Sequence, residues 1–359
     1  MDTKRLESLL AAMTRVGASA LHLVPGRSPA LRVQRRFVSG DETPVLAADV
    51  DELLRDMLFA DHRQQLAVRG HVEVLYVARS GRRYRAAVAE AFGQTSLVLR
   101  PVPEAPPELA TLELPEQVAA FARCRSGLVL VAGYFGAGKS TTIAAMVETM
   151  AQDPSRQITT IESSIQFVHR STAALLHQRE IGTHVATAAD GIRQAVVTGA
   201  DVVVLGEVRD LDTLEAALTA AESGCLVVAG VEAGSVVGAI TELTALASIE
   251  GRPRLRTRLA RVLRGAIAQS LLHRSHRSGR VPVVEVLVGS GPVRSMIRKG
   301  SLQELQPIMQ RCRSLGMQTV DVSLRSLLAR HLVTQEEALL HANDRDEVLA
   351  RVPGPAAVR

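Results

Sequence analysis

Tryptophan is absent from the 359 residues, and phenylalanine and tyrosine bring the aromatic share to only 3%. Proteins that hold single-stranded nucleic acid stack bases on such rings, so their scarcity argues against that class of partner. Cysteine occurs three times, at Cys124, Cys225 and Cys312, with no C-x-x-C pair. That usage excludes a disulfide scaffold or a zinc ribbon and fits a reducing cytosol. No apolar run approaches the ~18 residues that a transmembrane helix requires. The opening stretch MDTKRLESLLAAM mixes acids with apolar residues, which is not the layout of a signal peptide. Lysine is nearly missing too: Lys4, Lys139 and Lys299 stand among 42 basic side chains, against 37 acidic ones, for a net charge of +5.

What remains is a globular composition, 47% hydrophobic and 22% charged. The length suggests about two domains with ample core. An amphipathic helix is expected over 6–16, followed by short strands at 21–24, 30–33, 72–77, 83–92 and 96–100. Mixed short elements of this kind make residues 1–100 a small α+β domain. The segment PVPEAPPELATLELP has five prolines in 15 residues, and such a segment is extended and stiff, so a linker is placed at 101–115. From 116 the pattern changes to apolar runs at 127–132, 157–162, 201–206, 225–231 and 280–288, separated by helical stretches. Runs apolar on both faces between helices describe a parallel sheet covered on both sides. Residues 116–300 form that α/β core, 301–350 a helical C-terminal region, and 351–359 a disordered tail.

Within the core stands GYFGAGKST, residues 133–141, which fits G-x-x-x-x-G-K-[ST]. It follows the buried strand GLVLVA and opens the helix STTIAAMVETM. Glycines at Gly133, Gly136 and Gly138, with Ala137 between them, let backbone N–H groups wrap phosphates, and the helix N-terminus adds a positive dipole. Lys139 supplies a compact ammonium for the β- and γ-phosphates. Its presence is informative in a chain that otherwise uses arginine. Ser140, with Thr141 beside it, would hold Mg²⁺ through its hydroxyl. The expected ligands are therefore ATP and Mg²⁺.

The segment 252–280 is rich in arginine, yet Leu255, Leu259, Val262, Leu263, Ile267 and Leu271 repeat at helical spacing. The reading is a helix with arginines on its outer face, not a nucleic-acid surface. His273 and His276 lack acidic or cysteine ligands nearby and are taken as surface residues.

Several stretches resemble the secretion and pilus motor ATPases, and within them the PilT-type pilus retraction branch. ASALHL (18–23) and RYR (83–85) are similar to the family's A-S-D-L-H-L and R-F-R. GLVLVAGYFGAGKSTTIAAM sits where the family has its Walker A strand and loop, and HQREIG (177–182) is similar to Q-R-E-V-G. LGEVRDLDTLEAALTAAESG (205–224) follows the Walker B strand and the next helix. RSMIRKG (294–300) and GMQTVD (316–321) match the C-terminal region. GMQTVD and the missing four-cysteine module favour the retraction branch.

The resemblance implies an N-terminal PAS-like domain and a C-terminal RecA-like ATPase domain, with ATP bound between them in a hexameric ring. It also implies a cytoplasmic protein peripheral to the inner membrane, acting on a membrane platform protein at the pilus base. Glu162 and Glu207 are the carboxylates it assigns to catalysis, and Arg83 and Arg85 the arginines that approach the phosphates. The chain departs from the pattern in three longer stretches and at one single position. IESSIQF (161–167) stands for I-E-D-P-I-E-F, with Ser163, Ser164 and Gln166 at altered positions. AGVEA (229–233) stands for G-T-L-H-T, with Glu232 replacing a histidine and Cys225 the histidine upstream. VTGAD (197–201) stands for R-E-D-P-D, and Ala20 replaces an acid. An acid near a γ-phosphate repels it unless paired or turned away, and loss of one polar contact commonly costs about 10²- to 10³-fold in rate. Three readings follow: a ring motor that hydrolyses ATP; a weakened, regulatory ATP-binding subunit in a ring of its own or mixed with an active paralogue; and a nucleic-acid-stimulated ATPase, against which the family-like C-terminal region argues.

Overall fold

The computed structural model describes residues 3–33, 36–41, 43–91, 93–103, 105–169, 173–276 and 279–350. They divide into two compact units, one running up to Ala105 and including Ser164–Val168, the other made of Pro106–Ser163 and the residues from His169 onward. The tail expected to be disordered lies outside the described residues.

In the first unit the chain runs α1 (Thr3–Arg15), β1 (Ala20–Leu23), β2 (Ala30–Val33), β3 (Arg36–Ser39), α2 (Ala47–Met57), α3 (Ala60–Arg69), β4 (His71–Val77), β5 (Arg83–Ala91) and β6 (Gln94–Pro101). Leu6, Leu9, Leu10 and Met13 recur at i, i+3, i+4 and i+7 and are buried, which fixes one apolar face of α1 against the sheet. The six strands form an antiparallel sheet in the order β3-β2-β1-β6-β5-β4. Val72 and Val74, Ala86 and Val88, and Leu97 and Leu99 alternate with exposed or half-buried neighbours, the period-2 pattern of a sheet with one buried face. Sequence reasoning did not find β3: all four of its side chains are exposed, so it carries no hydrophobic alternation and is held by its pairing with β2 and by the edge contact of Phe37 with the His22 ring.

The second unit contains α4 (Glu116–Ala122), β7 (Gly127–Ala132), α5 (Lys139–Met150), β8 (Gln157–Glu162), β9 (Leu175–Glu180), α6 (Ala188–Val197), β10 (Val202–Leu205), α7 (Leu211–Glu222), β11 (Leu226–Val231), α8 (Val236–Ala245), α9 (Arg252–Val262), β12 (Leu263–His273), β13 (Arg280–Val288), α10 (Gly291–Lys299), α11 (Leu305–Arg311), α12 (Val320–Ala329), α13 (Gln335–Leu340) and α14 (Arg345–Leu349). Its seven strands form one sheet in the order β13-β12-β7-β11-β10-β8-β9. Its central strands β7, β10 and β11 are buried on both faces. Leu128, Leu130, Val203, Leu205, Val227 and Ala229 join the core under α6 to α9, while Val129, Val131, Val202, Val204, Leu226 and Val228 join the core under α4 and α5. Each of these leucines and valines taken fully from water stabilises the fold by about 1.5–3 kcal/mol.

Two expectations are corrected here. The helix read over the arginine-rich segment ends at Val262, and Leu263 turns into β12 with ψ at 119°. Ile267 and Leu271 belong to that strand. A short run apolar on both faces satisfies helix and buried-strand spacing alike, and the parallel partner β7, remote in sequence, decides the outcome. Residues 280–288 are not a parallel strand either. They fold back as β13, antiparallel to β12, because the short connection between the two leaves no room for a crossover.

Helix caps set where the edge loops stop. Thr187, Asp210 and Ser235 accept from the backbone N–H groups of Asp190, Thr213 and Gly238 at the starts of α6, α7 and α8, a contribution of about 1 kcal/mol each. His273 and His276 are exposed.

Candidate functional site

Strands β7, β8, β10 and β11 are parallel, so their carboxyl ends and the loops that follow share one edge of the sheet, the edge at which open α/β sheets receive ligands. The loop after β7 is residues 133–138. Gly136 and Gly138 hold φ of 82° and 88°, a region that side chains with a Cβ rarely enter. Gly133 is required for a second reason: a Cβ there would lie 2.8 Å from the carbonyl oxygen of Gln269.

The loop runs straight into α5. The first intrahelical bond is made by the Thr142 N–H to the Gly138 oxygen at 3.1 Å, so the amides of Lys139, Ser140 and Thr141 precede it and lie at the positive end of the helix. The Lys139 ammonium donates to the carbonyl oxygen of Gly133 and, at 3.4 Å, to that of Tyr134, which folds it back over its own loop. Ser140 is exposed at the same turn. An ammonium, a hydroxyl and helix-start amides together can receive the oxygens of a phosphate chain, and the hydroxyl is a hard oxygen donor of the kind Mg²⁺ takes.

Two carboxylates come from neighbouring strand ends. Leu205 pairs with Ile161 in register, and Glu162 closes β8 while Glu207 lies just past β10. Glu162 accepts from the Thr160 hydroxyl at 2.9 Å and from the Gln178 amide at 3.5 Å. Glu207 is ion-paired with Arg209 at 2.7 Å. That carboxylate, with a smaller contribution from Glu232, holds the Arg209 proton more tightly than usual. Glu232 itself is exposed, and Arg209 is the cation whose field offsets it. A cavity of about 260 Å³, lined by Ile161, Ser163, Glu207, Arg209 and Asp210 among others, opens beside Glu207.

The ends of β7, β10 and β11 are tied to each other. Gly133 donates to the Val231 oxygen at 3.2 Å, and Val208 donates to the Gly230 oxygen at 2.9 Å. A Cβ on Gly230 would come 2.0 Å from the Gly206 oxygen, so the loop that bears Glu207 and the one that bears Glu232 meet backbone to backbone.

In the N-terminal unit, Arg83 is exposed at the start of β5. Arg85 is bound to Glu73 at 2.7 Å and donates to the Gln166 amide oxygen at 2.6 Å. The substitution of Gln166 for an acid thus leaves a neutral acceptor for that guanidinium.

Sequence reasoning missed Arg209, which neutralises Glu207, and three residues that bind the loop: Arg280, which donates to the Gly136 oxygen at 3.3 Å, and Gln269 and Thr142, described below. The available signal for Gln269 was a lone amide in the largely apolar run GAIAQSLL.

Among known proteins, the type II/IV secretion system protein family (T2SSE) matches residues 91–281. YggR of Escherichia coli (strain K12) is 34% identical over 319 residues, 89% of this chain and 96% of that protein. The type IV pilus retraction ATPase PilT of Pseudomonas aeruginosa is 31% identical over 336 residues, 93% of this chain and 96% of PilT. A crystal structure of the pilus retraction motor PilT with bound ADP superposes with a TM-score of 0.86 at 32% identity, covering 95% of this chain and 97% of that one. The chain is a member of the type II/IV secretion system protein family, with the PilT-like pilus retraction ATPases among its full-length relatives.

Proposed function

We propose that this chain is a nucleotide-driven ring motor that binds ATP at residues 133–141, hydrolyses it, and powers a type IV pilus or related secretion machine. The observation that carries the reading is the strand–loop–helix unit with Lys139 folded over it, set at the same sheet edge as Glu162 and Glu207, which stand at the ends of the neighbouring strands β8 and β10. In this reading Lys139 and the amides of Gly138, Ser140 and Thr141 bind the β- and γ-phosphates. The Ser140 hydroxyl would hold Mg²⁺, which neutralises phosphate charge when bound. Glu207, with Glu162 beside it, orients a water and takes its proton as its oxygen bonds to the γ-phosphorus. The bond to the β-phosphate oxygen breaks, giving ADP and phosphate. Arg83 and Arg85 serve as further phosphate contacts, as the resemblance implies.

The finer architecture is part of the same proposal: a PAS-like fold for the N-terminal unit, a RecA-like fold for the second, and a hexamer, homomeric or mixed with a paralogue. The ring is cytoplasmic, bound peripherally at the inner membrane to a platform protein, and takes no nucleic acid. No helix among the described residues is long and apolar enough to cross a membrane.

The test is steady-state phosphate release by the purified chain beside Lys139→Ala. Turnover that is lost in the variant supports the motor. Turnover no higher than the variant's, with ATP still bound by the parent chain, overturns the motor in favour of a regulatory subunit, a reading that Glu232 in place of a histidine would then explain.

A further inference from the structure

Gln269 lies on β12, buried to 6% exposure, and is 132 and 127 positions from the two groups its side chain binds. Its amide nitrogen donates to the Ala137 carbonyl oxygen at 2.8 Å, and its amide oxygen accepts from the Thr142 hydroxyl at 2.8 Å. A carbonyl oxygen can only accept, so the amide has one orientation. Its backbone closes on the loop as well, since the Gln269 carbonyl oxygen is the atom a Cβ on Gly133 would strike, and its side-chain nitrogen lies 3.0 Å from the corresponding point on Gly138. One residue therefore touches the start of the loop, its last peptide and the first turn of α5.

The peptide between Ala137 and Gly138 is planar and trans, so its C=O and N–H point to opposite sides. Binding of the Ala137 oxygen to Gln269 turns the Gly138 N–H away from β12. A flip of that peptide rotates ψ of Ala137 and φ of Gly138, and a glycine at 138 can take either sign of φ, so Gly138 itself does not resist it. The restraint comes from β12.

We propose that Gln269 is a positioning residue for a nucleoside polyphosphate: it touches no ligand, and it locks the 137–138 peptide in the one orientation that offers the Gly138 N–H to phosphate. The proposal rests on reading residues 133–141 as a nucleotide site. An amide is needed because both a donor and an acceptor are used. Leucine supplies neither. Glutamate, of the same shape, presents an oxygen to the Ala137 oxygen and can donate there only when protonated.

The experiment measures Mg·ADP affinity by calorimetry on the full chain, with thermal unfolding followed in parallel. Gln269→Leu should weaken binding by about tenfold or more. Thr142→Val, which keeps the bond to Ala137, should weaken it by no more than about threefold. Gln269→Glu should bind poorly relative to the parent at pH 8, and the ratio of the two affinities should return toward one at pH 5.5, both chains being measured at each pH because the terminal phosphate of ADP itself gains a proton over that range. A purely structural residue would not give that pH profile. If Gln269→Leu has no thermal transition, Gln269→Glu carries the test. Parent-like affinity at both pH values in a folded Gln269→Glu would overturn the proposal. A folded parent chain that binds no Mg·ADP would overturn the nucleotide reading itself, and this proposal with it.

Discussion

At residue 230 the chain tolerates no side chain. The Gly206 oxygen occupies the space of a Cβ, and that oxygen belongs to backbone pinned on both strands, so it cannot step aside. Gly230→Ala should cost more than about 3 kcal/mol, beyond the usual range for a surface substitution; thermal unfolding of the variant checks this, and a loss under about 1 kcal/mol would contradict it. Glu207 makes a different prediction. Its carboxylate is paired with Arg209 but is not needed to shape the loop at 133–138. Glu207→Gln should lower kcat by about 10²- to 10⁴-fold and leave nucleotide affinity close to the parent's. A fall in affinity with kcat intact would assign Glu207 to binding instead. At this scale the sequence disclosed what local spacing can disclose. Gly133, Gly136, Gly138 and Lys139 were legible because the motif is contiguous. Gln269 was not, because what defines it are partners 132 and 127 positions away.

Among the elements, β12 and β13 show where periodicity fails. The continuous apolar runs that identified β7, β10 and β11 are also compatible with a helix, and the pairings with β7 and β13 settle the run at 263–273 as a strand. The antiparallel return of β13 places Glu285 in the core. Its carboxylate accepts from the Val236 N–H at 2.7 Å, at the start of α8. Burial, the largest cause, pushes its pKa up, with the charge of Asp321 adding to it and the Val236 N–H opposing. The folded state therefore holds this proton more tightly than the unfolded chain does. Ionising Glu285 in the fold costs stability, absent below the ordinary carboxylate range and fully present above the raised value. Glu285→Gln keeps an acceptor for Val236 and removes the charge. The difference in Tm, variant minus parent, should become more positive from pH 5 to pH 8. A difference that stays constant over that range would place the proton elsewhere.

On the scale of the whole molecule, the composition already argued for a globular chain, and motifs scattered from 18 to 321 carried the family resemblance that the comparisons bear out. Subunit number left no such mark, because it depends on surfaces whose partners are other copies of the chain. The proposed ring predicts a solution mass near six times the 38.5 kDa protomer in the presence of Mg·ATP, measurable by light scattering across a concentration series. A species that stays at the protomer mass throughout would contradict it. The central claim, beneath ring and motor alike, is that residues 133–141 grip a nucleoside triphosphate, and equilibrium binding of Mg·ATP to the purified, folded chain tests it most directly. The account predicts saturable binding at or below millimolar ATP that disappears in Lys139→Ala; no saturation in the parent, or equal binding by the variant, would contradict it.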